Sequence, residues 1–495
     1  MPLQSVGKGG VLGFLPQLQT DRAAREGNEA TMVDEPESSP MDRLRRPAPL
    51  IKRRMPSARG ATEQPNAVGD GDAPLTVRFW LMVLATGVAT GLLGVAMMVL
   101  LKGVATLAFG DQSSGFLSSV QHASPVRRIV VLVVAGLVGG LGWYLLRRFK
   151  HWGSTDVDDE IWTGHALLSF RRSLGTSVLS EVVVGAGASL GREAAPKLLG
   201  AAAASVFAQW AGLSVGQRRL LVACGAGAGM GAVYNVPLGG ALITAELLYG
   251  SLALPAILPA LATSGIATVV AWVYLPIRPT YDAVPAYPVN MAHVFFAMVA
   301  GPVIGVISAG YVRMIGWVSH HQLKGRWLLI GPAIAFGVLG VVAIAYPQLL
   351  GNGQDIAEVA FLPSAGGAIL GLAALAILKP VMTALCLGSG ATGGLFTPTL
   401  ASGAALGAVL GAGWSLLVPG QPIGSYALIG ATAMIGAAMQ TPLAALALVI
   451  ELSHTADTLI VPMVIATMLA TLVTRYLDGY SIYSSRLPAQ SPLSH

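Results

Sequence analysis

The sequence predicts an all-α polytopic membrane protein built from two related halves, with broken and re-entrant helices inside the bilayer. Three observations predict it. The first is composition: 54% of the 495 residues are hydrophobic and only 11% are charged, whereas a soluble domain carries roughly 25% charged residues. Too few ions are left to keep a folded surface in water. The second is a succession of apolar segments from residue 78 onward, and the third is an internal repeat. The 61 glycines follow no G-X-Y period and suit transmembrane helices, where small residues let backbones approach.

The composition also excludes other classes. Cys224 and Cys386 both lie in apolar runs, so neither a disulfide framework nor a metal cluster is available, and both read as small buried hydrophobes. A net charge of +6 would be compatible with nucleic acid, but the charge is concentrated in the N-terminal tail and short loops, as membrane topology requires. No nucleic-acid partner is expected, and the bilayer itself is the expected environment.

Residues 1–75 are expected to form a disordered cytoplasmic tail. Acids dominate 21–42, then 43–59 (RLRRPAPLIKRRMPSAR) carry seven Lys or Arg and no acid, a composition that builds no core. No apolar h-region follows a basic start, which argues against a signal peptide. A basic arm ahead of the first span reads as a cytoplasmic flank, with anionic lipid headgroups as a second contact. The first transmembrane repeat spans 76–275, with clear spans at 79–101 and 129–146. A connecting loop covers 276–291, the second repeat 292–476, and a C-terminal segment 477–495. Several runs, among them 177–213, 219–248, 391–418 and 424–452, are too long or too interrupted by Gly and Pro for one helix of about 20 residues. Broken helices are tolerated only where protein or a water-filled cavity surrounds them.

The repeat is the most informative feature. Residues 225–247 (GAGAGMGAVYNVPLGGALITAEL) align without gaps on 430–452 (GATAMIGAAMQTPLAALALVIEL), matching Gly225 with Gly430, Pro237–Leu238 with Pro442–Leu443, and Glu246–Leu247 with Glu451–Leu452. Upstream, 185–203 (GAGASLGREAAPKLLGAAA) aligns on 388–406 (GSGATGGLFTPTLASGAAL), pairing Gly191 with Gly394 and Gly200 with Gly403. Repeats with broken helices at matching places point to a transport site at the repeat interface. The two Gly-rich stretches are then partners across a pseudo-axis.

A helix that begins inside the membrane offers unpaired N–H groups and the positive end of its dipole. Such an end binds an anion without a fixed cation that would hold it too tightly to conduct. Gly394 followed by Pro398 in GGLFTP suits that construction. GSGATGG also fits GxGxxG, but the strand–turn–helix context of a nucleotide loop is missing. An acid within a span is a functional hypothesis by default. Glu193 at Gly191–Arg192–Glu193 would compete with an anion, and protonated or swung aside it would release the path. A plain ion pair with Arg192 is the bland alternative, but adjacent helical residues do not face each other; Arg192 reads as orienting or structural.

Together, GRE (191–193), GSGATGGLFTPTLASGAALG (388–407), NVPLGGALITAEL (235–247) and SIY (481–483) resemble the CLC family of chloride channels and transporters, over roughly 78–490 and in order; within it the likeness is to the bacterial ClcB-type, voltage-gated channel branch. The resemblance implies a CLC-type inverted-repeat bundle that passes chloride across the bacterial inner membrane, and the basic arm places the N-terminus in the cytoplasm. It implies a homodimer with one pore per subunit, and no cofactor beyond the transported ion. It makes Glu193 the gating acid, although GREAAP departs from the family's GREGP. The amides of Leu395 and Phe396 become anion donors, and Tyr483 offers a phenol hydroxyl to the same anion, the alternative for Tyr483 being a membrane-interface aromatic. The family's serine motif is altered: GSTDV (153–157) leaves Ser154 as counterpart, or as an N-cap for the helix carrying Asp156 and Asp158.

Coupled exchangers of the family carry a proton-handling acid where this chain has Leu247, so the resemblance favours a passive chloride channel, with a coupled chloride/proton antiporter as the alternative. A membrane-embedded nucleotide-using enzyme is the remote third reading, and no catalytic constellation supports it. Glu246 and its repeat mate Glu451 read as structural acids. Lys379 either raises the local anion potential or pairs with an acid such as Glu181 or Glu451. Lys197, four residues after Glu193, is placed to pair with it. His165, His293, His320 and His321 lack metal-ligand grouping and are expected in loops or at the membrane interface.

Overall fold

The structure is a computed structural model describing residues 75–148, 154–162 and 164–487. The acidic and basic stretches of the tail and residues 488–495 lie outside the described residues. Among the described residues, eight helices are long and apolar enough to cross a membrane.

The first half runs α1 (Val77–Phe109), α2 (Phe116–His122), α3 (Pro125–Arg148), α4 (Val157–Trp162), α5 (Phe170–Gly185), α6 (Ala194–Trp210), α7 (Val215–Tyr234), α8 (Pro237–Leu242) and α9 (Leu254–Ala271), α8 continuing as a π-helical turn over Ile243–Tyr249. The second half repeats this order as α10 (Met291–His320), α11 (Gly331–Ala345), α12 (Gln354–Phe361), α13 (Ile369–Gly388), α14 (Phe396–Ser415), α15 (Ile423–Met439), α16 (Pro442–Ser453) and α17 (Ile460–Leu477). Apart from α2, each element has a counterpart, α1 with α10 through α9 with α17. The packing repeats too: α6 lies on α7 as α14 lies on α15, and α1 on α9 as α10 on α17.

The long apolar runs break where the sequence placed Gly and Pro. Run 177–213 divides between α5 and α6, and Gly187 turns the chain with φ +104, matched by Gly390 at φ +94. Runs 219–248 and 424–452 divide at Asn235 (φ 57) and Gln440 (φ 60), both left-handed helix caps. Each is followed two residues on by a proline that opens the next helix, Pro237 or Pro442, where a missing N–H costs nothing.

Burial is inverted relative to a soluble bundle. Helix α1 buries Thr86, Gly87, Thr90, Gly91 and Gly94 and exposes Leu81, Leu84, Val88 and Leu92. Lipid is as apolar as leucine, so helices associate through small residues rather than by hiding large ones. The closest approaches fall on the repeated glycines. A Cβ on Gly200 would run into the Gly225 carbonyl, and one on Gly225 into the Gly200 carbonyl. Their repeat mates Gly403 and Gly430 meet in the same way, with Gly407 beside them.

The repeated acids lock the halves together. Glu246 accepts from the amides of Leu443 (3.2 Å) and Ala444 (2.7 Å) at the start of α16. Glu451 accepts from Leu238 (3.0 Å) and Gly239 (2.6 Å) at the start of α8. Each half thus satisfies free N–H groups on the other, the exchange a two-fold axis generates. Glu451→Ala is expected to cost about 1–2 kcal/mol, as loss of a helix cap does, read as a lower thermal-unfolding midpoint in detergent. An unchanged midpoint would show that the cap contributes nothing.

Candidate functional site

The Gly-rich stretches that the repeat makes partners meet backbone to backbone. Gly191 N–H donates to Gly394 O (2.7 Å) and Gly394 N–H to Gly191 O (2.8 Å). Matched residues of the two halves thus bond each other reciprocally, and this brings Glu193 onto the start of α14. A Cβ at either glycine would strike the Glu193 carboxylate, so only glycine admits it.

Glu193 is buried. Its Oε1 accepts from the Phe396 amide at 2.7 Å, and its Oε2 from the Tyr234 hydroxyl at 3.1 Å and Thr397 Oγ1 at 3.2 Å. Phe396 is the first residue of α14, so its N–H has no partner within the helix. Pro398, also in the first turn, removes an N–H that would have been free anyway. The carboxylate oxygens therefore occupy a place where an uncharged donor set would hold a small monovalent anion. Leu395 is buried beside it. Arg192 stays out of the donor set: its guanidinium lies 4.7 Å from the centre of the Tyr234 ring, a cation–π contact that helps fix the tyrosine whose hydroxyl reaches Glu193.

A cavity of about 240 Å3 opens beside the acid, with Glu193, Gly394, Leu395 and Tyr483 among its lining residues. Tyr483 is brought there by its own segment, where Ile482 N–H donates to Ala438 O at 2.8 Å. Charged side chains line the cavity as well, Arg147, Arg172, Lys197 and Arg486 together with Asp156 and Asp158. Burial, and then the neighbouring Asp158, push the Asp156 carboxyl above the usual carboxylate range.

Several sequence expectations come out differently. Lys197 pairs with Asp158, at 2.8 and 3.0 Å, rather than with Glu193, whose carboxylate is taken up by α14. Lys379 pairs with neither Glu181 nor Glu451. It is fully buried and donates to Ser189 Oγ (2.8 Å), Leu349 O (3.2 Å) and Gly351 O (2.7 Å), because the turn holding Gly351 and Gly353 folds over α13. The Ser154 hydroxyl accepts from the Asp156 amide at 3.2 Å, and the cap of α4 is Asp156, which accepts from Asp159 N at 3.2 Å. Ser154 is not among the residues lining the cavity. His293 is buried in the first turn of α10, 2.8 Å from Ser425 Oγ, whereas His165, His320 and His321 are exposed. Leu247 is buried in the π-helical turn.

The sequence reasoning missed Tyr234 and Thr397 as partners of Glu193. One signal was present: Tyr234 aligns with Met439 in the repeat, so a polar tip replaces an apolar one where the halves should match. Among the described residues no three His, Cys, Asp or Glu are grouped to hold a metal.

Residues 131–475 match the family described as voltage gated chloride channel. A ClcB-like chloride channel protein of Ralstonia nicotianae is 30% identical over 77% of this chain and 90% of its own length. The voltage-gated ClC-type chloride channel ClcB of Escherichia coli is 30% identical over 76% and 91%. Among solved structures, a slow cyanobacterial Cl−/H+ antiporter superposes with TM-score 0.70 at 22% identity, covering 83% of this chain and 97% of that one. A CLC-type fluoride/proton antiporter gives 0.65 at 22%, over 82% and 97%. Fold and comparisons together define a multi-pass membrane protein of the anion-transporting class, not an enzyme. The chain belongs to the CLC family of chloride channels and transporters.

Proposed function

We propose that the chain conducts chloride passively across the bacterial inner membrane, with the Glu193 side chain as its gate. One observation carries the reading: the carboxylate accepts from the Phe396 amide, Tyr234 and Thr397, uncharged donors that suit a halide equally well. Chloride and carboxylate exclude each other from this place. Protonation weakens the acid as an acceptor for all three donors, so the side chain leaves and the ion enters. Tyr483 and the Leu395–Phe396 turn border the path from the cavity side, and the Ser154 hydroxyl, while accepting from the Asp156 amide, still has an O–H to donate to an anion. Passive conduction, rather than proton exchange, is supported by Leu247, which cannot carry a proton, and by the chloride channels named among the relatives. By family resemblance the working unit is a homodimer with one pore per subunit, and the basic arm ahead of the first span favours an N-terminus in the cytoplasm.

The test is purified protein in liposomes under a chloride gradient, with external chloride and pH recorded together. Chloride efflux that requires valinomycin, with no uphill proton movement, is the expected result. Proton pumping driven by chloride overturns passive conduction in favour of coupled exchange, and absence of chloride flux overturns the reading altogether.

A further inference from the structure

An ion pair lines the cavity beside Glu193. Lys197 lies one helical turn after Glu193 on α6, its amide bonded to the Glu193 carbonyl at 3.1 Å, so its side chain enters the same cavity from the same helix face. Its ammonium meets both oxygens of Asp158, with 10% and 13% of the two side chains exposed, and sits 4.4 Å from the centre of the Tyr483 ring. All four of these residues line the cavity. The pair joins α6 to α4 at the wall of that cavity, beside Glu193.

A fixed lysine there would attract an anion strongly and hold it, which opposes conduction. A lysine already carrying an intramolecular carboxylate does not, because an arriving anion must displace that carboxylate and is displaced by it in turn. We infer that Lys197 is a second anion-binding group on the path, and that Asp158 is its resident competitor, exchanging with chloride as Glu193 does at the start of α14. This deepens the chloride-passing reading and rests on it. The path then has two carboxylates in series, one masking helix amides and the other masking an ammonium. The occupant is a small monovalent anion; a larger oxyanion would meet the Tyr483 ring that packs against the ammonium.

Full-length protein in liposomes is assayed for initial chloride flux against chloride concentration, and in detergent for bromide binding by calorimetry. Lys197→Met is expected to raise both the half-saturating chloride and the bromide Kd by about tenfold, the worth of one charge-assisted hydrogen bond. Asp158→Asn is expected to lower both by about tenfold and to slow maximal flux, because the unmasked ammonium keeps its ion. The double variant leaves no unpaired charge, so it tests the site even where a single variant fails to fold; without the ammonium it should bind bromide more weakly than wild type. Lys197→Arg, which preserves charge and pair, should stay near wild type. Unchanged binding in both single variants, or shifts in the same direction, overturns the inference. Tighter bromide binding by Asp158→Asn in a protein that passes no chloride would sustain the Lys197 site while defeating the conduction reading.

Discussion

Glu193→Ala should pass chloride at the same rate at about pH 4.5 and about pH 7.5, whereas the intact protein should conduct faster in acid. The sign follows from the geometry. Deprotonated, the carboxylate is held by three donors, one of them the helix-terminal amide of Phe396, and charge-assisted bonds of this kind are about twice as strong as neutral ones. Acid removes the charge, so occupancy by the side chain falls as pH falls and chloride flux rises. Alanine cannot reach the site at any pH. Its flux at neutral pH should exceed that of the intact protein by about tenfold or more, the release of at least one charge-assisted bond from the barrier. The measurement is valinomycin-dependent efflux from liposomes over that pH range. A pH profile in Glu193→Ala that parallels the parent would remove Glu193 from the gate.

Gly200→Val should abolish the folded protein. At this crossing of α6 and α7, a Cβ would meet the Gly225 carbonyl and lie 2.8 Å from Thr90 Cγ2 and 2.9 Å from the Gly225 carbonyl carbon. Two of those atoms are backbone, which cannot swing aside as a flexible side chain would, and close-packed helices transmit the displacement. Overpacking typically costs 1–3 kcal/mol, and valine brings two more methyls to a place that rejects even the first. About 3 kcal/mol or more is expected, enough to separate α6 from α7 and so misplace Glu193 at the head of α6. Size-exclusion profiles in detergent should lose the monodisperse peak. Gly103→Ala on α1, where a Cβ meets nothing within 4 Å, should keep it. A normal profile for Gly200→Val would mean that the crossing tolerates far more separation than its contacts imply.

The sequence carried most of what symmetry repeats. Gly200, Gly225, Gly191 and Glu246 each had a matched residue 203 or 205 positions on, at Gly403, Gly430, Gly394 and Glu451, and every one of these pairs has matched or reciprocal contacts. A duplicated backbone keeps the residues that its own axis constrains, which makes them visible without a structure. What the sequence hid is what breaks the symmetry. Tyr234 reaches Glu193 from α7, Asp158 reaches Lys197 from α4, and Tyr483 comes from beyond the second half; no local spacing links them. Lys197 was legible as a charge one turn from Glu193, but its partner was not, because helix periodicity ranks neighbours on one helix and says nothing about a short helix folded against it. The contacts of Lys379 were hidden for a related reason. Two of its three partners, Leu349 O and Gly351 O, are main-chain carbonyls of a turn, which have no letter in the sequence.

The reciprocal capping by Glu246 and Glu451 has a consequence in time. The amide of Leu238 waits for a carboxylate 213 residues further along the chain. At roughly 5–20 residues per second of synthesis, the start of α8 exists for about 10–40 s before its cap is made. The first half therefore enters the membrane unfinished, and the last helices to emerge complete both halves at once. A ribosome stalled between Leu238 and Glu451 would leave a chain that has inserted but not closed, the state a membrane quality-control protease is placed to remove.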